Sequence, residues 1–259
     1  MRRSKAEGRP VGLWRAISFF VGLALIYFVL QSYYDYLSQH MFWIHRLQHL
    51  VLHHVGPFLI VLGGPQLIAR GLPDGVRDSV AKTLWRNPVV RGTYRVVQHP
   101  VVAPVLFVGL IYFWLTPAIH FDAMLNLNLY KAMNWSMAID GLLFWWLMLS
   151  PKSEHSIVSL GYGTRILLLW VVMVLQIIIG AYISLHDSVL YSVYNLCGRA
   201  WEVSPLVDQE LGGLITWIPP SMMSIIGALL ALGMWMHEQK PASAAQVAAG
   251  HLPTHGTAD

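Results

Sequence analysis

A chain of 259 residues with 56% apolar and only 12% charged side chains, and a mean hydropathy of +0.52, is not composed like a water-soluble domain, where about 25% of residues are charged. The formal charge of +4 could suggest a nucleic-acid ligand, but the placement of the basic residues follows membrane topology instead and no nucleic-acid partner is expected. The single cysteine, Cys197, excludes an intramolecular disulfide and a CxxC pair, and so argues against metal transfer through thiolates.

The apolar residues fall into six blocks, at 13–31, 42–68, 96–118, 132–149, 164–185 and 211–236. Each is close to the length of about 20 residues that a helix needs to cross a hydrocarbon core. The predicted architecture is all-α: a polytopic membrane helical bundle of about six spans, with one membrane domain over 13–236 between a cytoplasmic segment 1–12 and a disordered cytoplasmic tail 237–259. The first block follows Arg2, Arg3, Lys5 and Arg9 and is not followed by a small-x-small cleavage site, which reads as a retained signal anchor. Alternating the blocks across the membrane puts fourteen of the seventeen basic residues on one side and leaves Arg46, Lys131 and Arg199 opposite. By the positive-inside rule both termini are then cytoplasmic. The basic, Val- and Trp-containing segment 69–95 fits a helix lying along the headgroups or a solvated connector.

The second block opens with the most concentrated polar feature of the chain. Five of the twelve histidines, His40, His45, His49, His53 and His54, lie within fifteen residues at its outer end. At about 100° per residue, His45, His49 and His53 share an arc of about 80° and form one line along the helix, whereas His54 points elsewhere. Imidazoles at i, i+4 and i+8 match the way a helix presents metal ligands, while helix packing and proton relay are the competing readings. Pro57 deprives the His53 carbonyl of its helical donor, and Pro104, Pro219 and Pro220 do the same to Pro100, Ile215 and Thr216, so kinks are expected there.

The remaining candidates converge on the same side. His120 and Asp122 follow the third block; Met133, Asn134 and Met137 open the fourth; His186, Asp187, Asp208, Gln209 and Glu210 flank the last two. Imidazole with thioether suits copper, and Met133 with Met137 at i, i+4 could supply soft ligands to Cu(I), although zinc stays open. Asp140, in the middle of the fourth block, is a membrane-embedded carboxylate for which a structural bond and a proton relay stand side by side.

Three stretches carry a family resemblance. His45-Arg46-Leu47-Gln48-His49 leading to Gly56-Pro57 and Leu62-Gly63-Gly64-Pro65, then Gly141-Leu142-Leu143-Phe144-Trp145-Trp146, and finally Asp208-Gln209-Glu210-Leu211-Gly212-Gly213 with Trp217 and Pro219, resemble the CtaG membrane proteins, bacterial cytochrome c oxidase assembly factors associated with copper delivery. The likeness spans roughly residues 35–236. It implies a multi-pass protein of the bacterial cytoplasmic membrane, with haem–copper oxidase subunits and membrane lipid as partners and a homo-oligomer left open. It also implies a copper site containing His45, His49 and Asp208 and no catalytic activity. Asn134 stands where many relatives have a histidine, and His53 and His54 extend the stripe, so His53, Met133 and Met137 join the expected ligand set. Two other classes compete: a histidine-box di-iron oxidoreductase, from the H-x3-H and H-x3-HH spacing, and a b-type cytochrome with His120 or His186 opposing His49.

Overall fold

The computed structural model describes residues 12–64, 87–150, 160–196 and 198–250, with side chains as far as residue 239. These residues form helices and connections, with no strand among them. In chain order they are α1 (Leu13–Gln31), α2 (Tyr33–Ser38), α3 (Phe42–Leu50), a π-helical segment (Val51–Val55), α4 (Gly56–Leu62), α5 (Pro88–Val97), α6 (Val102–Leu115), α7 (Pro117–Leu125), α8 (Leu127–Leu149), α9 (Tyr162–Ser184), α10 (Val193–Leu196) and α11 (Pro205–Gly250).

Local chemistry sets several of these boundaries. Asn87 and Asn126 cap α5 and α8 by accepting from the backbone N–H groups of Val89 and of Asn128 and Leu129. Ser204 accepts from Val207 N at the start of α11, with Pro205 in the first turn where its missing N–H costs nothing. The chain breaks between α5 and α6, which meet at 74°. That break lies at residues 98–101, beside Pro100, so the kink expected from Pro104 falls one turn earlier. Prolines 219 and 220 lie inside the continuous α11.

Among the described residues, three helices are long and apolar enough to cross a membrane: α1, α9 and residues Pro205–Gln239 of α11; counting the bent α5–α6 pair as one span makes four. The other two expected blocks are also helical, as α3 to α4 and as α8, but these carry the buried polar residues. The distribution is inverted relative to a soluble protein. Trp14, Phe20, Tyr27, Val105, Leu167, Trp170, Ile178, Met222 and Leu229 lie on the exterior, while four histidines of the stripe, Arg46, Gln48, Asn134, Asp140, Gln176 and Asp208 are buried. Apolar outside and polar inside is the arrangement expected where hydrocarbon is the solvent.

Small residues let the helices approach closely enough to enclose that interior. A Cβ on Gly22 would stand 2.8 Å from the Gly56 carbonyl, one on Gly63 2.7 Å from the Arg15 carbonyl, and one on Gly213 2.5 Å from Ser184 N. Gly212 lies against the Phe42 ring, so the two glycines of the last motif seat α11 against α3 and α9. Of the basic segment between the second and third blocks, residues 65–86 lie outside the described residues. Its remainder begins α5, which buries no residue. The N-terminal basic cluster and residues 251–259 also lie outside the described residues.

Candidate functional site

The stripe occupies α3 and the π segment, at the centre of the bundle. His45, His49 and His53 are all buried, and the His45 and His49 rings lie 4.4 Å apart between centroids. His54 turns to a different helix from His53, toward Gln176 of α9 rather than Asp140 of α8. It too is buried, edge-on to His53 at 5.0 Å. The cause is the π turn at Val51–Val55, where Gly56 N–H reaches back five residues to the Val51 carbonyl. Such a turn rotates each residue by less than an α-helical step and so brings His54 inward as well. Pro57 lacks the N–H that would have bonded the His53 carbonyl in an α-helix. That carbonyl instead packs against Gly141 of α8, at a distance only a glycine allows.

The ring nitrogens divide into held and free. His49 Nε2 lies 3.1 Å from Asn134 Oδ1, and His53 Nε2 3.1 Å from Asp140 Oδ2. The Gln176 amide nitrogen lies 2.8 Å from His54 Nε2. Five buried nitrogens have no partner: both of His45, and Nδ1 of His49, His53 and His54. A buried polar atom left unbonded costs about 1–3 kcal/mol, so five along one helix face is a concentration of unsatisfied valence. Met133 and Met137 are fully buried nearby, and Met137 shares with Arg46, His49, His53, His54 and Thr216 a cavity of about 10 Å³. That volume admits one water-sized body. Arg46 reaches the same cavity with its Nε–H donating to Thr216 Oγ1 at 2.9 Å, and Thr216 in turn donates to the Gly212 carbonyl at 2.7 Å.

Asp208 stands apart from these nitrogens. Its two carboxylate oxygens accept from Phe42 N at 3.1 Å and Trp43 N at 2.9 Å, and one of them also from the Arg199 guanidinium. These are the first N–H groups of α3, whose own N-cap residue, Met41, offers no side-chain acceptor. Asp208 is thus a cap supplied from α11, with its charge at the positive end of the helix that carries the stripe. Gln209 continues the stitching, accepting from Leu190 N at 2.7 Å and donating to the Ser188 carbonyl at 3.1 Å.

His120 packs edge-on to His45 at 5.1 Å, but both its nitrogens are occupied, by the Trp114 carbonyl and the Tyr194 hydroxyl, each at 3.0 Å. His186 bonds to Ser188 in its own loop, and Asp122 and Glu210 are exposed. Gln176 was not anticipated from sequence. A glutamine in the apolar run of the fifth block was the available signal. Phe107 likewise gave no cue, yet it stacks on His53 at 3.9 Å and, on its other side, on Phe144 at 3.9 Å.

Among the described residues, no three His, Cys, Asp or Glu side chains are gathered to hold a metal ion by themselves. The small shared cavity would require rearrangement before a porphyrin could enter between these histidines.

The chain is 28% identical over 251 residues to an uncharacterized protein of Mycobacterium bovis, covering 92% of this chain and 36% of the relative. It is 27% identical over 239 residues to one of Mycobacterium leprae, covering 88% and 35%. It thus spans roughly a third of the length of these relatives. No solved structure matches it. Residues 1–238 match the family described as cytochrome c oxidase caa3 assembly factor. The helical membrane bundle and that match, covering all but the last residues, establish that the chain belongs to the Caa3_CtaG family of cytochrome c oxidase assembly factors.

Proposed function

We propose that this protein is a non-enzymatic assembly factor that carries copper as Cu(I) cargo and passes it to a subunit of a haem–copper oxidase. The observation that carries the reading is the row of five unpartnered imidazole nitrogens along α3 and the π segment, with Met137 in the cavity that His49, His53 and His54 share and Met133 buried on the same helix as Met137. Neutral imidazole and thioether are ligands that a soft monovalent ion accepts without a fixed geometry. A tetrahedral zinc site would ask for four ligands in a closed shell. His45 and His49, whose rings are adjacent, are the principal ligands, with His53, Met133 and Met137 completing or succeeding them as the ion moves. Asp208 contributes by fixing the start of α3 rather than by ligation.

In this reading the chain crosses the bacterial cytoplasmic membrane six times with both termini inside, and the start of α3 faces outward. His45 is then the ligand nearest the outer surface, and ligand exchange with a docked oxidase subunit begins there.

The test is copper analysis of the detergent-purified protein, wild type against His45→Ala/His49→Ala, with oxidase activity and oxidase copper content measured in cells carrying either form. Copper retained by the wild type and lost from the double variant, together with copper-deficient oxidase, is expected. Equal copper in both proteins and full oxidase assembly with the variant would refute delivery through these residues.

A further inference from the structure

The stripe's histidines differ in what holds their far nitrogens, and the difference assigns the ligating atoms. An amide oxygen accepts hydrogen bonds only, and so does a carboxylate when ionised, so the 3.1 Å contacts to Asn134 Oδ1 and to a charged Asp140 Oδ2 place the proton of each ring on Nε2. In a neutral ring the lone pair is then on Nδ1. In both His49 and His53 Nδ1 is buried and unpartnered. Histidine ligands to metals are commonly held in this way, with the second ring nitrogen donating to a carboxylate or carbonyl that fixes the tautomer and orientation.

We infer that Asn134 and Asp140 are positioning residues that lock His49 and His53 in the Nε2–H tautomer, so that both present Nδ1 to the cargo ion. The inference rests on the copper reading above and deepens it. Three further contacts hold the arrangement. Phe107 lies flat on the His53 ring, at an interplanar angle of 22°, and Phe144 backs Phe107, so the imidazole plane is clamped. Gly141, one residue beyond Asp140, seats α8 on the His53 backbone and fixes how far the carboxylate can move from the ring. Both anchors also come from α8, the helix that carries Met133 and Met137, so one element positions two rings and two thioethers. His45 makes no full hydrogen bond on either nitrogen, although the Ser38 carbonyl approaches its ring. It can present either atom, which suits the ligand that meets a partner. Asp140 adds a carboxylate beside a site where Arg46 and the incoming ion are both positive.

The tautomers can be read without copper. In metal-free protein labelled with ¹⁵N-histidine, nitrogen NMR should show His49 and His53, assigned by His49→Ala and His53→Ala, protonated on Nε2. Asp140→Leu should release His53 from that tautomer, while Asp140→Asn, whose amide oxygen can accept the same bond, should retain it. Asn134→Leu should do the same for His49 and serves if the Asp140 variant does not fold. In Cu(I) competition titrations, each leucine variant should weaken binding by about 10–100-fold, with Asp140→Asn close to wild type. Wild-type rings protonated on Nδ1, or leucine variants with unchanged tautomers and unchanged Cu(I) affinity, would overturn the inference. A wild type that shows the expected tautomers but binds no Cu(I) would overturn the copper reading, and with it the ligand role, while leaving the tautomer lock measured.

Discussion

Asp208→Ala tests whether this carboxylate is a cap or a ligand. The substitution removes acceptors from Phe42 N and Trp43 N and takes from Arg199 its carboxylate partner, leaving its bond to Asn195 Oδ1. Hydrogen bonds to a charged group contribute about 1.5–3 kcal/mol each, and breaking a buried ion pair by deleting one member costs about 3–5 kcal/mol. The Arg199 side chain is 12% exposed and recovers part of its hydration, so these terms do not add fully. A net destabilisation of about 3–4 kcal/mol follows, or roughly 10 °C in the unfolding midpoint of a chain this size. Asp208→Asn keeps one acceptor oxygen for the helix terminus and should lose about half as much. The assay is thermal unfolding in detergent followed by circular dichroism, with copper content measured on the folded fraction. Both variants should bind copper in proportion to the protein that remains folded. A variant that unfolds like wild type yet holds no copper would refute the capping argument and return Asp208 to the ligand set.

Two more substitutions probe how α8 and α11 hold the stripe. Gly141→Ala drives a methyl group into the His53 carbonyl, with the His53 Cα only 3.0 Å away, and should cost about 1–3 kcal/mol by overpacking. Because the obstacle is the backbone of the π segment, Cu(I) affinity in a competition titration should fall with the unfolding midpoint. The matched control is Gly92→Ala in the exposed helix α5, where nothing lies within 4 Å; it should leave copper binding unchanged and stabilise by about 0.5–1 kcal/mol. Thr216→Val keeps the shape but removes the acceptor for Arg46 Nε at 2.9 Å. It should destabilise by about 1–3 kcal/mol in the same unfolding assay, whereas Thr216→Ser, which retains the hydroxyl, should remain near wild type.

What could be read from the chain was what local pattern determines. The apolar blocks mark helices, and the spacing of His45, His49 and His53 places them on one inward face. The adjacent glycines 212 and 213 are a small-residue pair of the kind that lets membrane helices approach closely, and they do so here. The partners of the polar groups could not be read in this way. Asp208 sits 166 residues from the N–H of Phe42 that it caps, and Asn134 and Asp140 are 85 and 87 residues from their histidines. Nothing in the spacing of one segment says which segment will lie beside it. Counting crossings from apolar blocks is subject to the same limit: the second and fourth blocks carry the polar groups that turn inward, so their lengths suit a span while their composition is that of an interior.

The π turn shows why that interior needs both local and distant causes. A regular helix would satisfy the backbone of residues 51–55 and leave His54 on another face from His53. Pro57 removes the donor that such a helix would need at the His53 carbonyl, which makes the wider turn less costly. That alone would leave a carbonyl facing a medium that cannot bond it. Gly141 lets the α8 backbone pack directly on that carbonyl, where any larger residue would hold α8 away. Once α8 is seated there, Asp140 is delivered to His53 and Gln176 of α9 meets the inward-turned His54. One proline and one glycine, in different segments, therefore decide how many imidazoles reach the core and which of their nitrogens stay free.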